Sequence, residues 1–397
     1  LTPQVVFETV RVASSASRER GLADGCIFIW LKMHDSIPLL KPFVSERSKE
    51  FAQKVLSDRW IGCGDWTLAF EEAVSKKIEV QKFLSTSSGT AALQISYEMS
   101  GIKAGDEIVT TPLTCLATHV PLIRLGAKLV WADIKRNGTI DPEDVSRKVT
   151  ERTKAIVVVD YGGTPCDLDE INEIAERNDC VVIEDAAQAL GTKYKGRWLG
   201  AHADFVCFSF QATKIVTTID GGGLVVRDQG RYGEAASMRW LGIDRHNRVV
   251  GDRNVSIPGI RAEMNNVGAA VGLGNLEALD QLLAHRRWQK EFYLSKLSDV
   301  SGLEVLDVDG EGESNCWAFS IWADEKDSLS RKLRSHGIES GQLHCRLDRV
   351  PLVERSSASC SLPGMDQWED KALCIPIGPW VDMGATEYIV QTIINGW

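Results

Sequence analysis

Two short apolar runs in this chain, Val181-Val182-Ile183 and Phe205-Val206-Cys207-Phe208, each close on polar residues. The first ends in Glu184-Asp185, the second in Ser209 and, shortly after, Lys214. Runs of this kind read as buried strands, and open α/β sheets gather ligands at the carboxyl ends of their strands. An acid and a lysine delivered there from separate strands can serve pyridoxal phosphate (PLP). The lysine forms a Schiff base, and the acid pairs with the pyridinium nitrogen so that the ring can take up electrons. Plainer readings exist for each residue taken singly. An Asp after a strand often caps a helix, and a Lys there is often a solvated loop residue.

A second constellation lies upstream. A short strand at 83–84 leads into Ser87-Ser88-Gly89-Thr90-Ala91-Ala92-Leu93. A strand, a small-residue turn and a helix opening on Gly89 and Thr90 make an anion cradle, because the helix N-terminus presents free N–H groups. An ordinary N-cap has the same appearance. The Lys214 segment downstream is what favours a phosphate here.

The elements that must position these residues alternate along the chain. Helical spacing at 45–56 is followed by a glycine-punctuated turn, Arg59 to Gly64, and by a helix over 66–74 that Asp65 could cap. Strands are expected at 107–111, 128–132 and 155–159, with a helix opened by Asp141-Pro142-Glu143-Asp144 and an amphipathic one over 168–177. Strands alternating with helices predict an α/β fold with a mostly parallel, doubly wound central sheet. A long helix over about 267–296 leads to a smaller C-terminal α+β domain, with a strand at 317–322 and a helix at 329–336. The expected division is a large domain over 33–290 and a small one over 291–397. Residues 1–32 read as an upstream or disordered segment, since Met33 opens the first regular stretch.

Composition narrows the class. The chain has 397 residues, 25% charged and 44% apolar, which suits a globular protein with more than one domain. A net charge of −10 without a Lys/Arg block argues against a nucleic-acid partner. No apolar stretch approaches a membrane span. The ten cysteines are scattered, Cys180 and Cys207 within expected strands, and form no C-x-x-C pair. They read as free thiols in a cytoplasmic protein. Neither H-E-x-x-H nor clustered Cys/His spacing suggests a metal, and no G-x-G-x-x-G follows the first strand.

The segments E-D-A-A-Q-A at 184–189 and F-S-F-x-x-x-K at 208–214, followed by Gly221-Gly222-Gly223, resemble the DegT-like sugar aminotransferases of the fold-type-I PLP enzymes. The resemblance runs from about Arg59 to the C-terminus and is stronger in the first two thirds. It implies that Lys214 carries the cofactor and moves protons, while Asp185 serves the ring nitrogen. Gln188 would lie near the phenolic oxygen and Ala187 against the ring. Gly89, Thr90 and Ser209 would hold the phosphate, with Arg261 reaching it from the second subunit of a homodimer whose active sites are shared. The family commonly has an aromatic where Cys115 stands, so a smaller, softer group would cover the ring. It commonly has His at the position of Asp160, an Asn where Arg261 stands and an Arg where Glu263 stands. Arg preserves the phosphate-binding chemistry of an Asn; the Glu263 change has no such reading.

By the same resemblance the partners are an amino donor, L-glutamate, and a keto sugar linked to a nucleotide. The loop Leu343-His344-Cys345-Arg346-Leu347-Asp348 offers His344 and Arg346 to the substrate, although this pattern equally suits a surface ion-pair cluster. Two alternatives share the same lysine and acid: another fold-type-I activity such as a lyase, and a non-catalytic PLP-binding protein. A sugar dehydratase branch replaces the lysine by His, and Lys214 argues against it.

Overall fold

The computed structural model describes residues 36–244, 255, 257–358 and 360–397; the expectation for residues 1–32 lies outside them. The strands in chain order are β1 Leu84–Thr86, β2 Glu107–Thr110, β3 Lys128–Trp131, β4 Thr153–Val159, β5 Val181–Asp185, β6 Lys193–Tyr194, β7 Arg197–Trp198, β8 Phe205–Ser209 and β9 Gly222–Val226. Seven of them form one sheet in the order β1-β9-β8-β5-β4-β2-β3. Pairing is parallel from β8 through β3, and β9 runs antiparallel to both β8 and β1. The α/β, mostly parallel sheet expected from the alternation is the sheet present.

The parallel strands are apolar on both faces because helices cover both. On one face Ile156, Val158, Val182 and Val206 pack with Leu168, Ile171 and Ile174. On the other, Val157, Ile183 and Cys207 pack with Ala92, Leu93, Ile95 and Leu122. The helices are α1 Glu46–Asp58, α2 Asp65–Lys77, α3 Gly89–Met99, α4 Leu116–Leu125, α5 Pro142–Lys148 and α6 Leu168–Arg177. Helix α6 buries Leu168, Ile171, Ile174 and Ala175, the spacing of a single stripe. Helix α5 starts as expected, with the Asp141 side chain accepting from the Glu143 N–H at 3.1 Å.

Three expectations are corrected. Asp65 does not cap α2; it is the first helical residue, and the cap position belongs to Gly64, where a side chain would collide with Trp60. Cys180 lies just before β5, its thiol directed at the Thr153 carbonyl. The long helix over 267–296 is two helices, α8 Asn266–Leu276 and α9 Leu279–Leu297, after α7 Tyr232–Met238. The break follows Asn275, whose buried side chain is tied to Ser45, Ser48 and Thr217. The Ala278 N–H then bonds only three residues back, to Asn275.

Beyond α9, strands β10 Leu303–Val305, β12 Phe319–Ala323 and β13 Ala372–Ile375 form an antiparallel sheet. With α10 Lys326–Ser335 and α13 Met383–Ile394 it encloses a third apolar core containing Tyr293, Phe319, Leu329, Leu333, Ile375 and Ile389. Between β10 and β12, β11 Gly312–Glu313 pairs with β6 of the earlier strands. Helices α11 Pro351–Glu354 and α12 Pro363–Lys371 lie between α10 and β13.

Candidate active site

The turn after β1 and the end of β8 meet at β9. Gly222 pairs with Thr86 on one side and Ser209 on the other. A Cβ at Gly222 would sit 2.3 Å from the Gly89 nitrogen, so only glycine permits this approach. A Cβ on Gly89 would in turn lie 3.0 Å from the Ser209 Cβ. The expected phosphate residues Gly89 and Ser209 therefore stand side by side, with half-buried Thr90 next in the first turn of α3. Ser88 caps that helix by accepting from the Ala91 N–H at 3.1 Å, leaving the Gly89 and Thr90 end free of the capping bond.

Asp185 ends β5 and is 4% exposed. Its Oδ1 accepts from the Ala187 N–H at 3.1 Å, and its Oδ2 from the Thr118 hydroxyl at 2.7 Å. Thr118 sits in the first turn of α4, and its oxygen is 2.7 Å from the Thr114 hydroxyl. Since the Thr118 proton goes to Asp185, Thr114 donates in turn. Burial pushes the Asp185 carboxyl up, whereas the Thr118 bond, the Ala187 bond and the charge of Lys214 pull it down. The hydroxyl chain was not anticipated from sequence, although Thr114 and Thr118 both stand in the segment that carries Cys115.

Lys214 lies in the loop between β8 and β9. That loop is closed by the Phe210 N–H to Gly221 and the Thr218 N–H to Phe210, at 2.8 and 2.9 Å. Burial pushes the Lys214 amine down to about 8, and Asp185 and Cys115 draw it back up. Asp185 and Cys115 are therefore near enough to act on the Lys214 charge. Trp317, not singled out in the sequence, forms another wall: the Lys214 Nζ stands 4.0 Å from its ring centroid. Its indole N–H donates to the Thr213 carbonyl at 2.9 Å, which steadies the lysine loop. Asn315 fastens the same segment to the Gln188 and Leu190 carbonyls, both at 2.9 Å.

Gln188 is buried, and its Oε1 accepts from the Gly162 N–H at 2.7 Å. Its Nε2 lies 3.4 Å from His344 Nε2. Burial and the nearby Lys214 charge push His344 down to about 4, so its ring is neutral and can accept from Gln188. Ala187 is half-buried, and Cys115, at the start of α4, is exposed.

Arg346 is 6% exposed, and its guanidinium is taken by Asp348, Asp366 and Glu369. Of the two readings of its loop, these pairs fit the ion-pair one at Arg346, while His344 lies beside Gln188. Arg261 is exposed and lies over the Trp240 ring at 5.4 Å. The neighbouring Ala262 carbonyl accepts from the Ser87 N–H at 2.7 Å, so this segment backs the turn that precedes Gly89. Glu263, half-buried, helps Glu71 and burial to raise the Cys63 thiol.

A buried acid opposite an amine of lowered basicity, beside a helix N-terminus opened by glycine contacts, is a donor set that suits PLP. The comparisons agree. Residues 43–394 match the DegT/DnrJ/EryC1/StrS aminotransferase family. The sugar aminotransferase CalS13 from Micromonospora echinospora superposes with a TM-score of 0.87 at 32% identity, over 91% of this chain and 100% of that one. AtS13 from Actinomadura melliaura gives 0.87 and 33%, over 91% and 99%. Spr1654 from Streptococcus pneumoniae, in its PLP form, shares the fold with a TM-score of 0.85 at 24% identity, over 91% and 98%. The chain belongs to the DegT/DnrJ/EryC1/StrS aminotransferase family and is a PLP-dependent sugar aminotransferase.

Proposed function

We propose that this protein transfers an amino group from L-glutamate to a nucleotide-linked keto sugar, in cytoplasmic amino-sugar biosynthesis. The reading rests on Asp185 and Lys214 arriving at one space from two strand ends, each shifting the titration of the other. Bound there, PLP supplies a carbonyl that condenses with amines and a pyridinium ring that takes up an electron pair. Lys214, its amine pushed down to about 8 by burial, would hold the cofactor and be the group able to take or give the proton at the amine-bearing carbon. Asp185, held by Thr118 and Ala187, keeps the proton on the ring nitrogen. Gln188, whose Oε1 accepts from Gly162, would have only Nε2 to offer the phenolic oxygen. Ala187 and Cys115 would cover the ring, and Gly89, Thr90 and Ser209 would hold the phosphate. His344 faces the substrate.

Arg261 completes the phosphate site of a second copy in a homodimer. Exposed apolar side chains along its segment support coverage by such a copy. Trp60 and Ile61 are 69% and 55% exposed, and Leu241 is 46% exposed. Asn266 holds the Ile61 carbonyl, and the Leu241 N–H donates to Ile260. Free thiols at each of the nine described cysteines suit a reducing compartment. No helix among the described residues is long and apolar enough to cross a membrane.

The test separates donor from acceptor. L-Glutamate added alone should remove the visible band of the bound cofactor, and keto sugars are then offered singly, with and without a nucleotide. The sugar that restores the band is the acceptor. Loss of the band with a different amino acid only would overturn the choice of glutamate; restoration by free sugars alone would overturn the nucleotide link. A band that no amino acid alters would identify a non-catalytic PLP binder.

A further inference from the structure

Two carboxyls on the far side of the sheet from Asp185 have no part in the chemistry above. Glu184 precedes Asp185 on β5 and so points to the opposite face. In the register of β4 with β5, Val158 lies beside Glu184 and Val159 beside Asp185. The alternation then puts Asp160, which follows β4, on the Glu184 face. Both carboxyls are fully buried, at 0% exposure. Asp160 Oδ1 accepts from the Cys166 N–H at 3.0 Å. Its Oδ2 and both Glu184 oxygens meet no other protein donor among the described residues. Neighbouring strand ends instead bring the two carboxyls together on one buried face, where each acts on the other's titration. Two carboxylates can only accept, so such a pair bonds only when one of them keeps its proton.

We propose that Asp160 and Glu184 share a single proton, so that one negative charge, not two, stands behind Asp185, and that this pair positions Asp185 in its ionised form. The proposal rests on Asp185 serving the cofactor's ring nitrogen. Burial is the largest influence raising both carboxyls, and the nearby Asp185 raises both further. Like charges crowded into one buried site do not all ionise. The titratable groups acting on the pair are Asp185, across the sheet on β5, and Cys166, on the loop after β4. Asp167 lies next along that loop, paired with Lys135. A second charge would push Asp185 toward its neutral form, which cannot hold a proton on a pyridine nitrogen.

The backbone carries the positioning. The Asp160 N–H donates to the Asp185 carbonyl at 3.2 Å, and the Asp160 carbonyl accepts from Gly163 at 3.1 Å. Between them lies Gly162, whose N–H is held by Gln188. These bonds tie the end of β4, where the Asp160 carboxyl stands, to the segment that carries Asp185 and Gln188.

Infrared spectra of the cofactor-free protein at neutral pH read the proton directly. The parent should show a protonated-carboxyl band that persists in Asp185→Asn and is absent from the double variant Asp160→Asn/Glu184→Gln. No band in the parent, or a band lost in Asp185→Asn, overturns the shared proton. In the PLP-loaded protein the double variant removes one negative charge. The pH midpoint of the cofactor's visible absorbance should fall by about half a unit or more. An unmoved midpoint overturns the action on the site even if the infrared result holds. Should the double variant not fold, Asp160→Asn alone must shift or abolish the infrared band, and an unchanged band overturns the pair. Near-parental turnover in Asp185→Asn would count against the role of Asp185 while leaving the infrared result standing, so the two readings fail separately.

Discussion

The Thr118 hydroxyl donates to Asp185 Oδ2 at 2.7 Å, from the first turn of α4 to the end of β5. This bond favours the ionised carboxylate, against the burial that pushes it toward the neutral acid. Thr118→Val removes the donor at nearly constant volume. A hydrogen bond to a charged group contributes about 1.5–3 kcal/mol, so turnover is expected to fall roughly 10-fold to 100-fold. The cofactor should still bind, since the phosphate residues are untouched. Single-turnover rates with glutamate check this, and a parental rate would separate Thr118 from the function of Asp185.

Lys214 sets a pH dependence with a definite sign. Burial holds its amine at about 8, so the folded, cofactor-free protein binds fewer protons there than the unfolded chain does. The cost of burying the charged amine is fully present below that value and is relieved as pH rises toward lysine's ordinary range. Lys214→Met should therefore be more stable than the parent at neutral pH, with the gap closing in alkali. For the parent, capture of PLP needs the neutral amine and should accelerate with pH through about 8. Stopped-flow absorbance reads that rate, and denaturant midpoints read the stability.

Asp185 and Lys214 are legible in the sequence because each closes or follows an apolar run, and a run of β-branched or aromatic residues specifies a buried strand. The glycines at 221–223 are legible for a related reason, as turn punctuation before another strand. What escapes sequence reading comes from distant segments. Trp317 reaches the lysine loop from 104 residues beyond Thr213, and no local pattern distinguishes it from a core tryptophan. The Thr118 hydroxyl points at Asp185 only because α4 begins where it does. The break between α8 and α9 is likewise hidden, since it depends on Asn275 being tied to Ser45, Ser48 and Thr217. Asp160 and Glu184 are visible as residue types, yet their shared buried face follows only from the β4–β5 register.

Arg346 should matter to stability and not to substrate affinity. Its removal leaves Asp348, Asp366 and Glu369 facing one another with less positive charge between them. Arg349 also pairs with Asp366 and Glu369 and offsets part of the loss. Arg346→Met is expected to cost about 1–3 kcal/mol in denaturant unfolding. The KM for the keto sugar should stay near the parent's at a temperature where the variant is folded. A large rise in KM with little change in stability would return Arg346 to the substrate.

Arg261 tests the shared site. It is exposed, lies over Trp240, and belongs to the segment whose Ala262 carbonyl braces the Ser87 turn. If it serves the phosphate of a second copy, Lys214→Ala subunits mixed with Arg261→Ala subunits form an informative heterodimer. One of its sites then has both residues and the other has neither. Random re-pairing of equal amounts should restore activity at about a quarter of all sites, because half the dimers are mixed and each has one intact site. If Arg261 serves its own subunit's site, both sites of the heterodimer are damaged and nothing is restored. An arginine with no part in the phosphate site predicts instead that Arg261→Ala alone retains nearly parental activity. Subunit exchange is verified by mass-tagging one variant. Activity no greater than the mean of the two separate variants, with exchange demonstrated, would overturn donation across the interface.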